Sequence, residues 1–315
     1  MSLPPPDSLP QPASPTAAGG TAEPPARLLV ISDLHGNWEA LDAVLDATAG
    51  EYDSVVCLGD IVGYGANPVE CSLWARDRCR QLIRGNHDAA TADPARLHDF
   101  NWLARQAVEW TRAQMHPDLL LWLSELPQGP CWFAGLRLAH GSPLDEDEYV
   151  VSVEQAQACL AVAAAAPPAA GDSAAPSGPP SSQPAVPPLT FIGHTHVQGG
   201  FSLRNVGHPP GAGAAGPAGA AAAPLARMEV LQPEFPESNR VRLDLPLQPG
   251  TRYLINPGSV GQPRDGDWRA GYVLYRIGGD RLTFGRTAYD LPAAQKKILA
   301  AGLPRHLADR LALGK

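Results

Sequence analysis

The chain has 315 residues, 44% of them hydrophobic, with 34 Pro, 31 Gly and a formal net charge of −8. That length supports a sizeable core, while the acidic balance argues against an extended nucleic-acid face, which needs clustered Lys and Arg. Five cysteines without a C-x-x-C pair speak against a disulfide framework, and with no ~20-residue apolar run and no signal-peptide pattern the expectation is a soluble cytoplasmic protein.

Much of the Pro, Gly and Ala falls in three stretches. Residues 1–25 read as a disordered Pro-rich tail, and 161–188 and 207–224 as flexible insertions. The folded part is then expected to be about 230 residues, one large domain, bounded at 26–290, with 291–315 as a C-terminal helical segment.

Residues 27–32, Leu-rich and β-branched, predict a strand followed by the loop Asp33-Leu34-His35-Gly36-Asn37. Asn37, a good N-cap residue, opens a helix in which Leu41, Val44, Leu45 and Thr48 form an i, i+3, i+4, i+7 stripe. A strand at 54–58, a Gly-rich loop at 59–66 and a helix at 68–78 with Pro at its start repeat the pattern. A third strand is expected at 80–84, with Gly85-Asn86-His87-Asp88 as its loop. Strands alternating with helices predict βαβ units and a largely parallel sheet. Ligands bind beyond the carboxyl ends of such strands, so polar clusters placed there converge. Helices follow at 99–115 and 119–126, then a hairpin of 129–133 and 136–139 around Ala134-Gly135, with His140 at its exit. A strand at 189–192 leads into Gly193-His194-Thr195-His196, and 227–288 is β-rich.

Five clusters carry chemistry: Asp33-x-His35, Gly59-Asp60, Gly85-Asn86-His87-Asp88, His140 and Gly193-His194-Thr195-His196. Their oxygen and imidazole groups suit divalent first-row metals, and the lack of a Cys pair disfavours a structural thiolate zinc site. The set is too rich for one ion. Two metals ~3.5–4 Å apart need a bridging ligand, and a carboxylate has the two oxygens for it; Asp60, behind Gly59, is the candidate. Taken singly the clusters say little, since Gly-Asp is an ordinary turn pair and a lone His is more often a satisfied packing residue. Two imidazoles two apart after a strand rarely serve packing. His98, His116, His208 and His306 lie in helix or linker contexts and read as surface residues.

In this order the clusters resemble the signature of the calcineurin-like metallophosphoesterase superfamily, over Leu28 to about Asp265. The segment Asn256-Pro257-Gly258-Ser259-Val260-Gly261 resembles one found in its small bacterial phosphodiesterase branch. The resemblance implies an α/β fold: a metallophosphoesterase-type β-sandwich flanked by helices, with the site at strand carboxyl ends. It implies one metal held by Asp33, His35, Asp60 and His196, and a second by Asp60, Asn86, His140 and His194. His87 would be the catalytic imidazole and Asp88 would orient it. The implied cofactors are two divalent ions, Mn first among Mn, Fe, Ni, Co and Zn. The implied reaction is hydrolysis of a small phosphate ester, a phosphodiester first, by a metal-bridging hydroxide, with His87 aiding departure of the leaving oxygen. Arg84 and Arg264 could touch phosphate oxygens or serve in salt bridges. No membrane partner is implied, and the oligomeric state is left open.

Two other readings stand beside this one. Protein Ser/Thr phosphatases and dinucleoside tetraphosphatases of the same superfamily usually carry an Arg in G-D-x-V-D-R-G, where this chain has Gly59-Asp60-Ile61-Val62-Gly63-Tyr64-Gly65. A non-catalytic metal-binding scaffold on the same fold is the reading from another class, but scaffold-type relatives resemble phosphoesterases that have lost ligand or catalytic His residues, and every such position is filled here.

Overall fold

A computed structural model describes residues 27–162, 189–206 and 225–315. The tail at 1–25 and the insertion at 207–224 lie outside them, as does the insertion expected at 161–188 except for Ala161 and Val162, which end the helix Val153–Val162. The described strands form two six-stranded sheets. One runs β3 (Cys79–Leu82), β2 (Ser54–Cys57), β1 (Arg27–Ile31), β11 (Ala270–Arg276), β12 (Arg281–Thr287), β9 (Arg240–Pro246). The other runs β4 (Cys131–Phe133), β5 (Leu136–Leu138), β6 (Leu189–Phe191), β10 (Thr251–Asn256), β7 (Gly199–Val206), β8 (Leu225–Leu231).

Alternation along β1 explains how the layers stack. Successive side chains point to opposite faces, and both faces of β1 are buried. Leu28 and Val30 pack with Leu138, Phe191, Ile255 and Phe284 in the core between the sheets. Leu29 and Ile31 face the other way, into a core shared with α1 (Trp38–Ala47), α4 (Trp102–Gln114) and α5 (Pro117–Glu125). The C-terminal helices α7 (Leu291–Ala300) and α8 (Arg305–Asp309) and the 3-10 turn Arg310–Leu313 join this layer through Ile298, Leu307 and Leu311. On the outer face of the second sheet, Ile192, Phe201 and Leu254 pack against Ala156, Cys159 and Leu160 of α6 (Val153–Val162). The architecture is a β-sandwich flanked by helices.

The expectation of a largely parallel sheet is corrected. Parallel pairing is confined to β1–β2, β2–β3, β5–β6 and β6–β10, and the remaining pairs are antiparallel. The βαβ pattern ends at β3. Later strands such as β11 and β12 follow one another as hairpins, which pair antiparallel. The helix expected at 99–115 begins only at Trp102, after a 3-10 turn over Pro94–Asp99, because the Asn101 side chain accepts from Ala104 N and caps it there. Among the described residues no helix is long and apolar enough to cross a membrane.

Phe191 is fully buried between the sheets, 6.5 Å from the Tyr275 ring. Phe191→Ala is expected to lower the unfolding free energy by about 3–5 kcal/mol in denaturant titration. A change below about 1 kcal/mol would mean the inter-sheet core does not hold the layers together.

Candidate metal centre

The polar clusters follow the carboxyl ends of β1, β2, β3, β5 and β6, so both sheets contribute to one place. Their loops are laced across the strand ends. Asp33 N donates to Gly59 O, His35 N to Asp60 O, Gly193 N to His140 O and Gly261 N to Asp33 O, at 2.7–2.9 Å. The backbone is left-handed at Asp33 (φ 56°), His35 (47°), Asp60 (52°), Tyr64 (61°), His194 (65°) and His196 (60°). Asp and His visit this region more readily than most residues, but such clustering is strain, and strain gathers where function over-determines the backbone.

Two groups of side chains result, and Asp60 belongs to both. Asp33, His35, Asp60 and His196 bring ligand atoms within 4.8 Å of one another, and so do Asp60, His140 and His194. The Oδ2 atom of Asp60 lies 3.5 Å from His35 Nε2 and 3.5 Å from His140 Nε2. Its Oδ1 accepts from His87 N at 2.8 Å. His196 Nε2 lies 3.3 Å from Asp33 Oδ1, and His140 Nε2 lies 3.4 Å from Asn86 Oδ1.

The tautomers follow from the outward-facing nitrogens. His35 Nδ1 faces Val62 O, His140 Nδ1 faces Leu58 O and His196 Nδ1 faces Gln262 O, at 3.1, 2.8 and 2.6 Å. A carbonyl only accepts, so each Nδ1 carries a proton; this leaves Nε2 of the neutral His35 and His196 rings with a lone pair turned inward, and His140 Nε2 with one once its second proton is displaced. His194 is reversed: its Nε2 donates to Asp147 O at 3.2 Å, leaving Nδ1 as the lone-pair nitrogen. Two such lone pairs, on His35 Nε2 and His196 Nε2, stand 3.1 Å apart. Acceptors packed against acceptors without a donor between them are what a cation requires, and these donor atoms fit divalent metal ions.

The electrostatics agree. Burial alone would raise both carboxyls, yet His196 and His140 hold Asp33 well below its usual range, and His140 and His87 do the same for Asp60. Burial lowers the His140 imidazole, but Asp60 and Asp33 outweigh it and raise it to about 10. Without a metal, a proton takes the cation's place there. Burial lowers His87 to about 4 and, with His140 beside it, His194 to about 3.

The family model described as calcineurin-like phosphoesterase matches residues 26–198. The chain belongs to that family. This phosphoesterase is 33% identical to a metallophosphoesterase from Sphaerobacter thermophilus, with a TM-score of 0.65 over 92% of this chain and 100% of that one. It is 30% identical to an uncharacterized protein of Methanocaldococcus jannaschii, over 91% of this chain and 98% of the relative. A hypothetical protein from Pyrococcus horikoshii, 16% identical, shares the fold with a TM-score of 0.61 over 92% of this chain and 98% of its own.

Each residue expected at the site has a definite place in the phosphoesterase. Asp33, His35, Asp60, His140, His194 and His196 are buried together, and Asn86 Oδ1 faces the second group. Asn86 and His87 do not lie in a loop as expected; they open the short helix α3 (Asn86–Ala92). His87 packs against the rings of Tyr64, His35 and Phe100 at 4.5–4.9 Å, with its Nδ1 unpartnered. Asp88 does not orient His87. Its carboxylate accepts from Ile61 N, Val62 N and Gly85 N, so it clamps the Asp60 loop onto the start of α3. Burial and nearby Asp60 raise it to about 7, against those amides. Arg84 is committed to Glu146 at 3.2 Å. His98, His116 and His306 are exposed, and His208 lies outside the described residues.

Sequence reasoning missed the aromatic frame. A cavity of about 310 Å³ opens onto Asn86, His87 and His194 between Tyr64, Phe100 and Tyr149. The Tyr149 ring sits 3.9 Å from that of His194. Tyr149 follows an acidic run with no periodicity, so nothing local marked it.

Two consequences can be measured. A Cβ at Gly85 would stand 2.1 Å from Asp60 Oδ1, so Gly85→Ala is expected to displace the shared carboxylate. Elemental analysis should then find metal content cut at least in half with circular dichroism unchanged; full content would contradict the packing. Because His140 is protonated at neutral pH without metal, an ion entering the second group must displace that proton, so affinity falls as pH falls. Calorimetric titration of metal-free protein near pH 7 in buffers of different ionisation enthalpy should show about one proton released; none released would contradict the raised His140.

Proposed function

We propose that this metal-dependent phosphoester hydrolase uses a dinuclear centre and acts first on phosphodiesters of small molecules. The observation that carries the reading is Asp60 Oδ2, equidistant from His35 Nε2 and His140 Nε2 at 3.5 Å. Asp33, His35, Asp60 and His196 would hold one ion, and Asp60, Asn86, His140 and His194 the other. Manganese is the first choice, and Fe, Ni, Co and Zn suit the same ligands. When bound, two divalent cations supply Lewis-acid neutralisation of phosphoryl oxygens and acidify water at the site.

The chain's own groups do the rest. The backbone carbonyls of Val62, Leu58 and Gln262 fix three ligand imidazoles in the tautomer that presents Nε2. His87 lines the cavity but is not within either ligand group. Kept neutral near pH 7 by burial, it can donate a hydrogen bond from a ring N–H to the leaving oxygen and so stabilise the charge developing there, while the proton that the oxygen finally takes up comes from water. Phe100 and Tyr64 wall its ring and limit the poses a substrate can take. The cavity, about 310 Å³, suits a small ester. The acidic chain, net −8, does not suit a polymeric nucleic acid.

Asp60→Ala should lose both ions and all hydrolysis of a chromogenic phosphodiester with added Mn; full metal content in that variant would remove the bridging role. His87→Ala should keep both ions and lower kcat by roughly 10²–10⁴-fold, and unchanged turnover would remove His87 from the reaction. A panel of diesters, monoesters and nucleotides assayed with defined metals tests the preference for diesters.

A further inference from the structure

Two arginines lie against Tyr64, a residue of the cavity wall, and neither meets an Asp or Glu side chain among the described residues. Arg264 and Arg310 place their guanidinium carbons 5.8 Å and 5.9 Å from the centroid of the same Tyr64 ring. Both are half-buried. Neither forms a salt bridge with a carboxylate side chain among the described residues. Arg264 Nη2 donates to Gln262 Oε1 at 3.0 Å, and its Nε is buried with no partner. Arg310 Nε donates to the Lys315 main-chain oxygen. Like charges held side by side in a partly buried place repel, and burial and then the neighbouring Arg264 both lower the Arg310 guanidinium.

Their placement is nevertheless built in. Arg264 N donates to the carbonyl of His196, a residue of the first ligand group, at 3.1 Å. Gly266 N donates to Gly314 O at 3.0 Å, tying the Arg264 loop to the C-terminal turn Arg310–Leu313. The Tyr149 ring, stacked on His194, stands within electrostatic reach of Arg310. Tyr64 therefore touches both sets of groups, the His35 and His87 rings at 4.8 Å and 4.5 Å and the two guanidiniums at 5.8 Å and 5.9 Å. Neither arginine belongs to a ligand group or lines the cavity, but Tyr64 does line it, so a substrate that extends past that ring meets the guanidiniums next.

We infer that Arg264 and Arg310 clamp a second anionic group of the substrate, so that the preferred esters carry a further phosphate or carboxylate beyond the phosphoryl group being cleaved. This rests on the phosphoesterase reading of the centre. Guanidinium forks suit such oxygens, binding them bidentately, and the anion would remove the repulsion between the two cations.

The test uses the full chain and two p-nitrophenyl phosphodiesters that differ only in whether the second alcohol bears an additional phosphate. The wild type should show a KM for the doubly charged ester lower by roughly tenfold or more. In Arg310→Gln and Arg264→Gln that ratio should fall towards one, with Arg310→Lys, which keeps the charge but not the fork, in between. A ratio near one in the wild type, or the same ratio in all variants, would overturn the clamp. A second readout needs neither metal nor turnover: inorganic phosphate should raise the melting temperature of metal-free wild type and not that of either Gln variant. No rise in the wild type, or an equal rise in all three, would also overturn it. Should the wild type hydrolyse neither ester, the functional reading fails while the phosphate arm still judges the clamp.

Discussion

A carboxylate buried between imidazoles is the constraint on which the rest of this structure depends. Asp60 is 1% exposed, and an ionised group out of water costs several kcal/mol unless it is paired and hydrogen-bonded. One oxygen is met by the His87 amide, and the other faces the two imidazoles that each belong to a different ligand group. Apart from the amides of His87 and His194, which donate to Asp60 and Asp33, the groups that look inward are carboxylate oxygens and imidazole nitrogens able to act as ligands, so the arrangement is complete only with positive charge inside it. In metal-free protein the His140 proton supplies part of that charge. An acidic chain can thereby present a cationic centre to an anionic ester.

Holding that constellation strains the backbone. Five of the ligand residues and Tyr64 take left-handed φ values, each at about 1–3 kcal/mol if uncompensated. The compensation is visible in the layers beneath: both sheets end at the site, a buried core lies on each face of the first sheet, and amide-to-carbonyl bonds stitch one loop to the next. Asp88 contributes here rather than in the chemistry. Its three amide donors lock the Asp60 loop to the start of α3. The C-terminal helices extend the same scaffold and carry Arg310 back to Tyr64.

Much of this was legible in the sequence. Strands ending in Asp33, Asp60, His140 and His194 could be read because apolar runs stop abruptly at polar residues, and the convergence of those stops follows from the chemistry of sheet ends. The helix at Pro68–Arg78 announced itself by Pro at its start. What was not legible had non-local causes. The second sheet mixes parallel and antiparallel neighbours because its strands come from distant parts of the chain, with β10 lying between β6 and β7. The orientation of Asp88 depends on amides twenty-six and twenty-seven residues away. Tyr149 and Arg310 reach the site only through tertiary packing, and neither sits in a motif.

Anomalous diffraction from crystals of the protein loaded with manganese would show directly whether two ions share one carboxylate. Two peaks about 3.5–4 Å apart are expected, one among Asp33, His35 and His196, the other among Asn86, His140 and His194, with Asp60 between them. A single peak at full occupancy with excess metal, or ions bound away from Asp60, would contradict that sharing.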